Sequence, residues 1–436
     1  MSIQGPKTAE LFDRARAALV NGVSSGWRYW GEDDTIVLTG GKGAYVYDAD
    51  GKRYIDYHMG FGPVILGHGD EHVVDAVSRA VANGTTFAFT QEQEVLAAEA
   101  IKRAVPWVER LRFTNTGTEA TMHAARLARG FTGRDIIVKF EGTYHGAHDY
   151  VMFSTPGDTT DALGSPFSPV PVAMSSGMPR PIGGLVRTLP FNDLEAVERL
   201  FARDGANIAA LFVEPMLGNA MAIEPAPAFL EGLRDLCTAH GAVLVFDEVK
   251  TGFRIAVGGA AEIYGVTPDL ATYAKAMGNG LPVAAIAGQG PVLTGWDRGG
   301  IIQAGTYSGN AVSTAATQAT IERLLTGEPM SQLDRVGNAL MEGTAKILAD
   351  QGVESSVHGR PAMFSFYFGD EKPSDYRGTT SHNEDLYESL VMAMIERGVM
   401  PSPEALEPWF LSAAHSDEDV ATTLQVFEES LVEALG

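Results

Sequence analysis

From about residue 70 this chain alternates short apolar runs with amphipathic stretches, and that rhythm constrains its fold more than any other feature. Apolar runs fall at 110–114, 135–140, 209–213, 242–247, 270–274 and 283–287. Short strands separated by helices build a mostly parallel sheet covered on both faces, and such sheets take ligands at the carboxyl ends of their strands. The expected fold is therefore α/β, with a large domain over 71–318. After Thr317 come a helical pattern at 341–349, a strand near 363–368 and a helix at 383–397, which read as a smaller α+β domain over 319–436. Residues 1–70 read as an N-terminal arm partly joined to that smaller domain. It holds an amphipathic helix over 8–19, with Leu11, Ala15 and Leu19 on one face and Asn21-Gly22 as its stop, and a hairpin over 44–57 turning at Asp50-Gly51. The stretch 153–184 breaks the rhythm, being rich in Pro, Gly, Ser and Thr, and a loop of that length is expected to lie over a functional site.

The strand ends carry the chemistry. Lys275 lies just past one apolar run, and Asp247 ends another 28 positions upstream. Alone, a lysine ahead of Gly278 and Gly280 is an ordinary loop residue, and an Asp after a strand is an ordinary cap. Together they supply an amine for an aldehyde and an anion for a pyridinium nitrogen, the two needs of pyridoxal phosphate. A third segment, Arg112-Phe113-Thr114-Asn115-Thr116-Gly117-Thr118-Glu119-Ala120, is a strand that breaks into hydroxyl residues around a glycine and then opens a helix. Its free amides and helix dipole suit a phosphate, although Thr116 three residues before Glu119 also fits a plain capping box. A fourth segment places Tyr144 and His145 after the run ending at Phe140, where an aromatic face can stack on a flat ring.

These segments resemble the class III aminotransferases of the fold-type I pyridoxal-phosphate superfamily, in the branch containing glutamate-1-semialdehyde 2,1-aminomutase. The likeness runs from about Val20 to Glu428. It also takes in the Gly41 to Asp56 segment, Val213-Glu214-Pro215, the Asp247 to Arg254 segment and Gly305-Thr306-Tyr307-Ser308-Gly309-Asn310. The resemblance implies a seven-stranded sheet, a homodimer, and pyridoxal 5'-phosphate as cofactor. It implies that Lys275 bonds to the cofactor, that Asp247 keeps the ring nitrogen protonated, and that Val249 packs on the ring face opposite Tyr144. Thr116, Gly117 and Thr118 would bind the phosphate, with Thr306 reaching it from the neighbouring subunit. His145 lies beside the ring in this reading, and Glu214 near its phenolic oxygen. Arg28, in Val23-Ser24-Ser25-Gly26-Trp27-Arg28, would take a substrate carboxylate, with Glu407 facing it across the pocket.

The chain departs from the aminomutase pattern at Ala274 before the lysine, at Phe61-Gly62-Pro63 and at Thr306-Tyr307-Ser308, and it has no arginine from Gly398 to Gly436. The expected function is accordingly an aminotransferase that moves an amino group between an ω- or β-amine or amino acid and a keto acid or aldehyde. The aminomutase, which returns the nitrogen to the same skeleton, is the alternative, and a racemase a further one. A reading from another class takes His145, His148 and Asp149 as metal ligands of a hydrolase, but no completing ligand stands near them in the sequence; no metal is expected.

Bulk properties bound the rest. At 436 residues and 45% apolar the chain can bury more than one core. Its 32 basic and 55 acidic residues give a net charge of −23, which argues against nucleic acid or anionic membrane as partners. No apolar run approaches the roughly 18 residues of a membrane span. Met1 to Lys7 carries no secretory apolar segment, so a cytoplasmic location is expected. The single cysteine, Cys237, excludes an intrachain disulfide and sits in a helical pattern as a small apolar residue.

Overall fold

The computed structural model describes residues 3–157, 160–297 and 299–436. Its centre is a seven-stranded sheet in the spatial order Arg110–Thr114, Ala284–Gly288, Leu270–Tyr273, Val243–Asp247, Ile208–Val213, Ile136–Phe140, Val186–Leu189. Only Ala284–Gly288 runs against its neighbours, so the other six strands point their carboxyl ends the same way. Six of the seven strands lie where the apolar runs fall, within a residue at either end. The seventh, Val186–Leu189, carries Arg187 and Thr188 between apolar neighbours and gives too short a signal to separate from the loop before it.

The sheet is apolar on both faces because successive side chains point to opposite sides. In the Val243–Asp247 strand, Val243 and Val245 join a cluster with Ala120, Ala124, Leu127 and Ala128 of the helix Gly117–Thr132. Leu244 and Phe246 face the other way, into the main core with Phe140, Phe191, Phe229 and Leu233. The alanines on the Gly117–Thr132 helix let its axis lie close to the sheet, which aims the helix's N-terminus at the strand ends. Cys237 is buried in the helix Phe229–His240 on the second face.

The N-terminal hairpin forms as read, Tyr45–Asp48 against Arg53–Asp56, and gains an outer strand at Leu38–Lys42. Its inner strand pairs in parallel with Val399–Met400, so the arm closes onto the C-terminal part of the chain. There the helices Glu328–Asp350, Glu384–Glu396 and Asp417–Ala434 pack around strands Ser355–Arg360, Met363–Phe368 and Trp409–Phe410. The 341–349 pattern is only the second half of a 23-residue helix, whose earlier turns start behind Pro329. One expectation fails in the arm. The first helix, Pro6–Ala18, buries Thr8 and Phe12 and leaves Leu19 exposed, because Leu19 is already extended and past the last turn.

The 153–184 stretch, of which positions 158 and 159 lie outside the described residues, is mostly irregular but firmly tied. Ser154 donates its amide to the Val172 carbonyl, and the buried Lys139 ammonium donates to the carbonyls of Thr143 and Phe153. Arg377 clamps the buried Glu141 through two bonds of 2.7 and 2.8 Å and donates as well to the Leu163 and Gly164 carbonyls. Among the described residues no helix is long and apolar enough to cross a membrane.

Candidate active site

At the strand ends a cavity of about 150 Å³ is lined by Gly117, Thr118, Tyr144, His145, Glu214, Asp247, Val249, Lys250 and Lys275, among others. Five segments remote in sequence meet here because each follows or ends a strand of the same sheet. Asp247 is the last residue of its strand and is almost fully buried. One of its oxygens accepts the Thr272 hydroxyl at 2.9 Å and the Val249 amide at 3.1 Å, while the other faces His145 Nδ1 at 2.7 Å. Tied on both oxygens, the carboxylate has a fixed direction. His145 is itself held by its carbonyl, which accepts the Thr121 hydroxyl at 2.5 Å.

Lys275 follows the adjacent strand and takes a left-handed backbone, with φ 48°. That conformation costs a non-glycine residue about 1 kcal/mol, and the buried neighbours Ala276 and Met277 hold it in place. The turn swings the side chain out of the sheet and into the cavity. Burial, followed by the nearby charge of Lys250, lowers the Lys275 pKa to about 7, so a large share of the amine is uncharged at neutral pH.

Thr116 is the cap of the Gly117–Thr132 helix, accepting the Glu119 amide at 3.1 Å. The reciprocal half of a capping box is displaced by one residue, since Glu119 accepts from the Asn115 amide at 2.9 Å. Gly117 and Thr118, the first turn of a 16-residue helix, reach the cavity wall. A Cβ on Gly117 would lie 3.1 Å from Val249, so a larger residue would have to push that side chain aside by a few tenths of an ångström. The capping reading is met by Thr116, and the same segment opens its first turn onto the cavity. Tyr144 and Val249 wall the same cavity, and burial raises the Tyr144 hydroxyl's pKa. Glu214 is buried, which pushes its pKa up, and accepts from the Tyr144 and Gly218 amides and the Asn219 side chain at 2.7 to 3.0 Å.

Above this cradle opens a second cavity of about 580 Å³, walled by Trp27, Phe61, Tyr144, Met174, Tyr387 and Leu406 and also reached by Lys250, Lys275 and Glu407. Thr155 to Gly157 and Met174 come from the long loop, which does lie over the site. Arg28 stands at this cavity's edge, exposed and with no ion pair among the described residues. Glu407 does not pair with it. Instead Glu407 takes the Lys250 ammonium on both oxygens, at 2.7 and 2.8 Å, because Lys250 is buried beside it and needs the countercharge. Thr306 lies far from the cradle's lining, in an exposed loop with Ile302 and Tyr307.

Of the metal reading nothing is assembled: among the described residues no three His, Cys, Asp or Glu side chains converge, and Asp149 is exposed. Four residues of the site escape a reading of the sequence. Thr272 and Thr121 hold their neighbours through hydroxyls and carry no spacing signal. Asn219 follows Glu214 by five residues. Lys250 has a visible signal, an ionisable side chain three positions after a buried strand-end carboxylate.

The sequence pattern of the family described as Aminotransferase class-III matches residues 29–427. The chain belongs to the class III aminotransferases. A curated relative, the glutamate-1-semialdehyde 2,1-aminomutase of Methanothermobacter thermautotrophicus, is 42% identical over 426 residues, covering 98% of this chain and 99% of that protein. Among solved structures, an omega-transaminase from Sphaerobacter thermophilus superposes with a TM-score of 0.94 at 33% identity, over 99% of this chain and 98% of that one. A transaminase with PLP bound superposes at 0.89 with 27% identity, over 98% of each chain. The sheet is that of the fold-type I enzymes of this cofactor, and the class III enzyme's cofactor is pyridoxal phosphate. The cradle fits it on its own terms: an amine whose pKa is lowered toward neutrality, a fixed carboxylate, a helix N-terminus, and a buried His145 Nε2 with no hydrogen-bond partner among the described residues. Other curated relatives, at 38% to 40% identity, carry the same aminomutase name.

Proposed function

We propose that the chain is an aminotransferase acting on an ω- or β-amine or amino acid with an apolar or aromatic substituent, and passing the nitrogen to a separate keto acid or aldehyde. The observation that carries this is the large cavity. Some 580 Å³ walled largely by indole, phenyl, phenol and thioether groups, with Arg28, Lys250 and the carboxylates of Glu384, Glu388, Glu404 and Glu407 also on the lining, is wider than a five-carbon amino aldehyde requires. The aminomutase is the second reading, supported by the curated relatives of that name at 38% to 42% identity.

Pyridoxal phosphate, when bound, supplies an aldehyde that takes up the amino group and a ring that draws electrons from the neighbouring carbon. Lys275 is the residue to hold that aldehyde, since its amine is nucleophilic near neutrality; released by substrate, it is free to move a proton from the substrate's amino-bearing carbon to the cofactor's C4′. Asp247 would keep the ring nitrogen protonated, with His145, Thr272 and the Val249 amide holding the carboxylate in line. Gly117, Thr118 and Thr116 would hold the phosphate at the helix N-terminus, joined in a homodimer by the partner subunit's Thr306. Tyr144 and Val249, both on the cavity wall, would pack against the ring, and Glu214 would lie near its phenolic oxygen.

The test is a half-reaction panel. The loaded enzyme is mixed singly with an aromatic β-amino acid, an ω-amine and glutamate-1-semialdehyde, and free keto product is measured with the fading of the cofactor's visible absorption. Stoichiometric keto product from the first two supports the proposal. Turnover of the semialdehyde alone, with no keto product released, overturns it in favour of the aminomutase.

A further inference from the structure

Lys250 is a second buried lysine, 7% exposed, at the junction of the two cavities. Its ammonium donates to the Gly218 carbonyl at 2.7 Å and to both oxygens of Glu407 at 2.7 and 2.8 Å. It also lies 5.5 Å from the centre of the Phe410 ring. Glu407 belongs to an irregular segment rather than a helix or strand. Its neighbour Leu406 anchors the backbone there by accepting the Met221 amide at 2.8 Å, and Lys250 is the cation that holds the Glu407 carboxylate.

A buried ammonium must keep a carboxylate beside it, but the carboxylate need not always be the same one. Glu407 lines the large cavity with Lys250, so an acid entering that cavity meets a cation already occupied by an equivalent group. Exchange of one carboxylate for the other leaves the charge of the buried site unchanged. A neutral substrate leaves the resident pair intact. Arg28, exposed at the rim, faces water and offers a bound acid far less.

We infer that Lys250 is the cation that recognises a substrate carboxylate, and that Glu407 is its built-in occupant, yielding to acids and staying in place for neutral amines. The inference rests on the aminotransferase reading and deepens it, because one pocket must then accept an amine and a keto acid in turn. Lys250 and Glu407 are in this sense specificity-determining residues.

The experiment measures binding of two unreactive probes to the loaded enzyme by calorimetry: 3-phenylpropanoate and its neutral amide, 3-phenylpropanamide. Glu407→Gln removes the competitor and is expected to bind the carboxylate about tenfold more tightly, with the amide little changed. The double variant Lys250→Met with Glu407→Leu replaces both partners by apolar groups of similar shape, which avoids an orphaned buried charge. It is expected to lose at least about tenfold in carboxylate affinity while keeping the amide. A carboxylate-to-amide ratio unchanged in the double variant overturns the inference, whether or not the single variant folds well enough to measure. So does an Arg28→Ala variant that abolishes the ratio while the double variant keeps it. Neither probe reacts, so these ratios stand even if the half-reaction panel finds no keto product, and the two proposals fail separately.

Discussion

The cofactor cradle and the substrate cavity touch at Lys275, yet they are built by opposite means. The cradle is made from the ends of sheet strands and the first turn of one helix, and Asp247, Glu214 and His145 are each tied to named partners at hydrogen-bond distance. The cavity above it is assembled from the arm at Ser25 to Arg28, the long loop at Thr155 to Met174 and the C-terminal segments around Tyr387 and Glu407. Its walls are mostly apolar, with Arg28, Glu384, Glu388 and Glu404 on the lining besides the Lys250–Glu407 pair. Rigid strand ends fix a reaction class, whereas loops from three distant segments are where a substrate is chosen.

Asp247→Asn strikes the cradle and should have the largest effect. A neutral amide accepts the Thr272 hydroxyl but does not hold a pyridinium proton, so turnover should fall by about three powers of ten while much of the cofactor stays bound. Turnover within a few-fold of wild type would remove the carboxylate from the chemistry. Next in size is Arg377→Ala, which strips the cation from buried Glu141 beneath the loop. Denaturant unfolding should show a loss of about 3 kcal/mol. An unchanged midpoint would mean that the loop's tie to Arg377 does not support the cavity roof.

The third prediction uses pH. Because the Lys275 amine is lowered to about 7, it is protonated and inert below that value and free above it. Reloading of cofactor-free enzyme should therefore quicken as pH rises toward 7 and level off beyond it. A rate still climbing tenfold per pH unit between about 8 and 10 would indicate a lysine of ordinary pKa. The smallest effect is expected for Arg28→Ala, a change of no more than about threefold in KM for carboxylated substrates, as for an exposed ion pair. A loss of ten- to hundredfold confined to those substrates would return carboxylate binding to Arg28.

The division between cradle and cavity also explains what the sequence discloses. Lys275, Asp247, Tyr144 and the Thr116 to Thr118 turn each sit at the end of an apolar run, so periodicity alone puts them at strand ends. Val186–Leu189 is hidden because four residues after a Pro- and Gly-rich loop carry too little alternation. Leu38–Lys42 is hidden for another reason: it is exposed along its length and carries Gly40 and Gly41, so it has no apolar face to read. The Lys250–Glu407 pair joins positions 157 residues apart, and no local pattern reports such a contact. Glu407 is expected opposite Arg28 when both are taken as pocket residues, but the buried cation that captures it comes from a distant strand end.

Borohydride reduction of the loaded enzyme, followed by peptide mapping, decides which amine the cradle serves. One modified peptide is expected, with the reduced cofactor on Lys275. A label on Lys250 or on any other lysine would contradict the assignment, since Asp247, His145 and the Gly117 turn would then face the wrong amine.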